Sequence, residues 1–164
     1  MGVSAGVFDR KAGTSFAMPQ ARVTVVAIIL SLVAGCGWSS RYEVAVGVLA
    51  EARMIGTVVW EEKFEGNTTD GEVIDLLVVD TKGASEQSSF EKAVTLLQSH
   101  GWTVAVDDRP RDVSMDSDRW AGAHLTISTF SSSDVRNYPG VTEAIKRTAT
   151  QPQGLVAIAA FQGP

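Results

Sequence analysis

The sequence predicts an α+β domain with a mainly antiparallel sheet and two helices packed on one face, placed after a separate N-terminal segment. Three observations predict it. Short runs rich in β-branched and aromatic residues recur between clusters of turn residues. Three segments show apolar residues at helical spacing. An apolar run at 23–34 stands apart from both, with Arg22 before it and small residues after it. Of the 164 residues, 45% are hydrophobic, enough for one folded domain beyond that run and too many for global disorder. No internal repeat or low-complexity block divides the chain.

Residues 41–55 carry Val44, Val48, Ala52 and Ile55 at helical spacing, with Glu43, Glu51 and Arg53 elsewhere, and predict a helix. The valines would also suit a strand. Residues 57–63 are rich in strand formers, and 73–79 read as a mostly buried strand. Between them, 66–71 hold two glycines around Asn67 and Asp70, so the two strands are expected to pair as a hairpin. Ser88-Ser89-Phe90-Glu91 reads as a capping box with Ser88 as N-cap. Phe90, Ala93, Val94 and Leu97 continue it as one apolar stripe, and Gly101 sits where a helix ends, which predicts a helix over 89–100. Trp102, Val104 and Val106 alternate as a strand that 107–112 should break, and Leu125 and Ile127 mark another strand within 121–130.

Residues 131–134 read as a loop, and Pro139-Gly140 opens a helix with Val141, Ala144, Ile145 and Thr148 on one face. Lys146 and Arg147 suit its C-terminal end. Residues 155–161 are apolar on both faces, as a central strand covered on two sides would be. From Val73 the order strand, helix, strand, strand, helix, strand resembles the split arrangement of a ferredoxin-like sandwich. The hairpin with 57–63 complicates that order, because an internal first strand has no free side without a rearranged sheet.

The N-terminal run is too short to cross a bilayer, which needs roughly 20 apolar residues. A basic flank, a short apolar core and a small-residue exit are the parts of an export signal. The segment Val33-Ala34-Gly35-Cys36 resembles the lipobox of bacterial lipoproteins. The resemblance implies cleavage between Gly35 and Cys36, a diacylglycerol on the Cys36 sulfur with palmitate-type acyl chains, and anchoring on the extracytoplasmic face of the cell membrane. Small Ala34 and Gly35 give a peptidase room at the backbone, and Cys36 lies where the apolar run ends.

The organisation that follows is a signal peptide at 1–35, a lipidated tether at 36–40 and a single domain at 41–164. Met18 begins a compact signal with Arg22 beside the core and is the expected start; the alternative is a longer leader containing Arg10 and Lys11. The competing readings are a core element over 23–34 with Cys36 as a buried small hydrophobe, or an uncleaved anchor that retains Arg22. One cysteine makes no internal disulfide. Asn67-Thr68-Thr69 fits a glycosylation acceptor, which a bacterial lipoprotein would leave bare.

The chain has a net charge of −5. Loss of 1–35 removes Asp9, Arg10, Lys11 and Arg22 from 19 acidic and 14 basic residues, leaving 18 against 11, a net of −7. That balance argues against nucleic acid and supplies no polybasic membrane patch, so attachment falls to lipid. Two acyl chains anchor stably where one is marginal.

No catalytic constellation stands out. Asp107, Asp108, Asp112, Asp116 and Asp118 offer oxygen ligands but not at EF-hand spacing, and the interleaved Arg109, Arg111 and Arg119 point to surface ion pairs. His100 and His124 lack the i, i+4 partner of a zinc helix. His100 is expected at the last carbonyls of its helix. No glycine-rich phosphate loop occurs either. Ser131, His124 and Asp134 are near in sequence, and Glu61, Glu62 and Glu65 could place a carboxylate pair; loop and rim positions are the simpler reading of both. Trp60, Trp102 and Trp120 suit core packing more than a binding face. The expectation is thus a lipid-anchored domain that binds or scaffolds an envelope partner, with no catalytic residue, metal or cofactor. An envelope hydrolase with a dispersed site is the alternative.

Overall fold

The computed structural model describes residues 42–65, 73–148 and 150–163. The expected signal at 1–35, the tether with Cys36 and the turn at 66–71 with Asn67 lie outside the described residues. In chain order the elements are α1 (Val46–Met54), β1 (Thr57–Glu65), β2 (Val73–Asp80), α2 (Glu86–Ser99), β3 (Trp102–Asp108), β4 (Asp112–Ser117), β5 (Ala123–Thr129), α3 (Pro139–Thr148) and β6 (Leu155–Gln162). Single 3-10 turns at Asp134–Asn137 and Pro152–Gly154 flank α3. The fold class is α+β.

The strands form one six-stranded sheet in the order β1-β2-β6-β5-β4-β3, with every neighbouring pair antiparallel. β1 lies beside β2 at the edge, and the sheet accommodates that hairpin by setting β6 between β2 and β5. α2 carries the chain across the sheet from β2 to the far edge at β3.

Side chains on a strand alternate between faces, and that alternation separates two cores. Leu77 and Val79 of β2, Val156, Ile158 and Ala160 of β6, Leu125 and Ile127 of β5, and Val113 and Met115 of β4 face α1 and α2. Val78, Leu155 and Ala157 face the other way, against Val135 and Val141 at α3. β6 is therefore covered on both sides near its start, which is why residues 155–158 are apolar on both faces. Two helices do share a face, and they are α1 and α2; α3 lies across the opposite one.

Each helix forms for a local reason. In α1 the predicted stripe Val44, Val48, Ala52 and Ile55 is buried. Gly47 allows it to close: a Cβ there would lie 2.2 Å from the Trp120 ring. In α2 Phe90, Ala93, Val94 and Leu97 are buried, and full burial of a side chain like Phe90 contributes about 1.5–3 kcal/mol. Its start differs from the sequence reading. The N-cap is Ser85, whose side chain accepts from the Ser88 amide at 3.1 Å, while Ser88 Oγ accepts from the Ser85 amide at 2.9 Å. The capping box thus runs Ser85 to Ser88, three residues earlier than expected, and Glu91 faces solvent toward Arg109. Gly101 ends the helix at φ +91°, the region glycine enters without strain.

β4 is a strand where the sequence shows only part of the acidic stretch that follows the break at 107–112. Val113 and Met115 alternate inward and are fully buried, with Asp112, Ser114 and Asp116 outward. Residues 109–111 are accordingly the turn of a β3–β4 hairpin and contain a cis Arg109–Pro110 bond.

Candidate binding face

α3 covers only part of its side of the sheet. Its apolar residues pack over β1, β2 and β6, and among the described residues no helix covers the outward positions of β3, β4 and β5. Cross-strand pairing sorts these positions into rows. One row runs Thr103, Asp116, His124, Phe161, Ile74, Phe64 from edge to edge. The next begins Val106, Ser114, Thr126, Ala159. Except for the exposed Thr103 and Val106, these side chains are half-buried, the expected state of a face with solvent on one side. Val106 is 58% exposed.

His124 is the most constrained polar group on this face. Its ring stacks on Phe161, with centroids 5.1 Å apart and planes 21° from parallel. Its Nδ1 lies 2.6 Å from Asp116 Oδ1. An ionised carboxylate only accepts, so Nδ1 donates in this bond, and Nε2 lies on the side facing Gly163. One row along, Ser114 Oγ and Thr126 Oγ1 are 3.1 Å apart. The arrangement can accept and donate hydrogen bonds from a nearly flat surface with an aromatic strip beside it. Among the described residues His124 bonds to no hydroxyl, so its base is not coupled to a nucleophile.

The other singled-out residues fall elsewhere. Ser131 lies beyond the far end of β5 from His124, roughly 20 Å along the strand at about 3.4 Å per residue, and its hydroxyl donates to Glu86 at 2.8 Å. Asp134 opens a 3-10 turn. These three residues are not brought together. Glu61 and Glu62, adjacent on β1, point to opposite faces, and Glu61 pairs with Arg53. His100 is exposed, and its main-chain amide, not its ring, donates to Leu97 O at 2.9 Å.

The aspartate run is interleaved with ion pairs. Arg109 joins Asp107 at 2.6 Å and Glu91 at 3.3 Å, and Arg111 joins Asp112 at 2.8 Å and also Asp108. The Arg109 guanidinium holds the Asp107 carboxyl below its usual range. Among the described residues no three His, Cys, Asp or Glu side chains converge as a metal site. Trp102 is core, Trp120 packs against the same core, and Trp60 lies beneath α3 beside Tyr138.

Sequence reasoning missed three carboxylates. Asp116 was read with the run, but β4 carries it to His124. Glu51 is buried and accepts from Trp102 Nε1 at 2.7 Å, Arg119 at 3.1 Å and Trp120 Nε1 at 3.2 Å. Asp75 is buried within the apolar β2 run, and burial raises its carboxyl above the usual range. The signal for Asp116 was the Val113–Met115 alternation; for Asp75 it was an acid inside an otherwise apolar run.

A shallow cleft of about 290 Å³ lies at the other end of the sheet, between the β2–α2 loop and the segment before β6. Its polar groups are largely engaged. Asp80 accepts from the Lys82 amide at 2.9 Å and from the Lys82 ammonium, and Lys82 adopts φ +59°. Thr81 and Ser89 donate to Gly154 O and Gln153 O at 3.2 and 2.8 Å. These bonds tie the loop to the start of β6. No protein-family model, curated protein or solved structure matches the chain.

Proposed function

We propose that the chain is a lipid-anchored protein of the bacterial cell envelope, held on the extracytoplasmic face through acylated Cys36, whose domain binds a partner and does no catalysis. The observation that carries the binding half is the sheet face that no described helix covers, where Ser114, Thr126, His124 and Phe161 lie in register on three strands. Support for the anchor comes from the Val33-Ala34-Gly35-Cys36 segment behind its basic and apolar flanks. Charge narrows the partner. A domain with a net of −7 after cleavage repels anionic lipid and polyanions, so an uncharged or cationic envelope component fits best.

Thr126→Arg tests the face, because it places a long charged side chain on an outward position between Ser114 and Ala159 without touching either core. In-cell crosslinking should yield an adduct with the wild type and with a Lys146→Glu control on exposed α3, and lose it with Thr126→Arg. An adduct unchanged by Thr126→Arg contradicts use of this face.

One observation favours the alternative, an envelope hydrolase: the His124 imidazole oriented by Asp116. That reading expects turnover on a panel of ester, peptide and glycoside substrates, lost in His124→Ala. Absence of any His124-dependent turnover leaves the binding reading in place.

A further inference from the structure

Asp75 is 3% exposed, and its buried Oδ2 has no hydrogen-bond partner. Such a group is costly to bury as a charge: an uncompensated buried carboxylate loses hydration that nothing replaces. Asp75 lies on the α1 side of β2, with Leu77 and Val79 next along that face. Lys63 stands directly opposite on β1, Glu61 is its diagonal neighbour there, and Ala160 faces it from β6. From above, α1 contributes Arg53, and Glu43 precedes the same helix. Arg53 is engaged elsewhere: its Nε and Nη2 both donate to the Glu61 carboxylate. The two nearby acids therefore oppose ionisation, the two bases favour it, and neither base bonds to Asp75.

We propose that Asp75 is a pH-sensitive latch under α1: the neutral carboxyl lets α1 close over the β1–β2 end of the sheet, and its ionisation favours a locally open state in which water reaches the carboxylate. The Arg53–Glu61 pair is the hinge side of the latch, joining the end of α1 to β1. This inference goes beyond the binding reading and does not depend on it.

The direction follows from linkage. Burial, first, raises the closed-state carboxyl above its ordinary value, with Glu61 and Glu43 adding to the rise and Lys63 and Arg53 opposing it. A group with a raised folded-state value stabilises the closed form fully at pH below its ordinary value, and that stability is lost as pH rises through the raised one. The open-to-closed ratio therefore grows about tenfold for each unit separating the two values.

Hydrogen exchange of the domain, corrected for the intrinsic pH dependence of exchange, reads this out. Peptides covering α1 should lose protection as pH rises through that window, while remaining less protected than α2 at every pH. In Asp75→Asn the pH-dependent loss in α1 should disappear. Lys63→Met, an exposed change that spares the fold if Asp75→Asn does not, should extend the loss to higher pH, because it removes a cation that favours ionisation. Three results overturn the latch: an α1 pH response equal in wild type and Asp75→Asn, an α1 protection equal to that of α2 throughout, or no displacement in Lys63→Met.

Discussion

At the scale of single residues, buried carboxylates organise the α1 side of the molecule in opposite ways. Glu51 is satisfied three times over, by two indoles and a guanidinium, whereas Asp75 has an oxygen with no partner. Removing the first should therefore hurt. Glu51→Ala leaves the fully buried Trp102 Nε1 without an acceptor, and an orphaned buried donor costs about 1–3 kcal/mol. Urea unfolding should show a loss of that size, with a smaller one for Glu51→Gln, whose amide oxygen can still accept. Equal stability of Glu51→Ala and wild type would mean that Trp102 finds water or another acceptor. Neither carboxylate announced itself in sequence. Glu51 sits among helix formers and Asp75 among strand formers, and a partner 51 residues away is invisible to local spacing.

At the scale of elements, the start of α2 separates two readings of one serine-rich stretch. With Ser85 as N-cap, Ser85→Ala should cost about 0.5–2 kcal/mol in a urea titration. Glu91→Ala, on the exposed rim with Arg109, should cost much less, since exposed ion pairs contribute little. The reverse ranking would restore Ser88 and Glu91 as the capping box. The sequence pattern located this helix by its stripe but not its first turn, because Ser85, Ser88 and Ser89 are all good caps and only geometry chooses among them. Strand β4 was lost for a related reason: its two inward residues, Val113 and Met115, are a short signal inside a run of charges. Losing β4 also hid the pairing of Asp116 with His124, which exists only because those strands are adjacent and in register.

At the scale of the whole molecule, element types and order were legible from Thr57 onward except for β4, because apolar periodicity is local and the other elements carry it over longer runs. Strand order was not, since placing β6 between β2 and β5 depends on pairings between segments about 80 and 30 residues apart in sequence. The two-sided burial of β6 was legible even so, since a strand apolar on both faces has to be central. Its consequence is a steep response to core loss. Ile158→Ala, in the middle of β6 and fully buried, should cost about 2–5 kcal/mol in unfolding free energy. A loss below 1 kcal/mol would mean that the α1–α2 core collapses around the gap.

The central claim is the lipid anchor, and the intact mass of the protein extracted from bacterial membranes tests it most directly, alongside a Cys36→Ser version. The account predicts a chain that begins at Cys36 and carries added acyl mass, both lost on substitution. An unmodified chain beginning at Met1 or Met18 would contradict it.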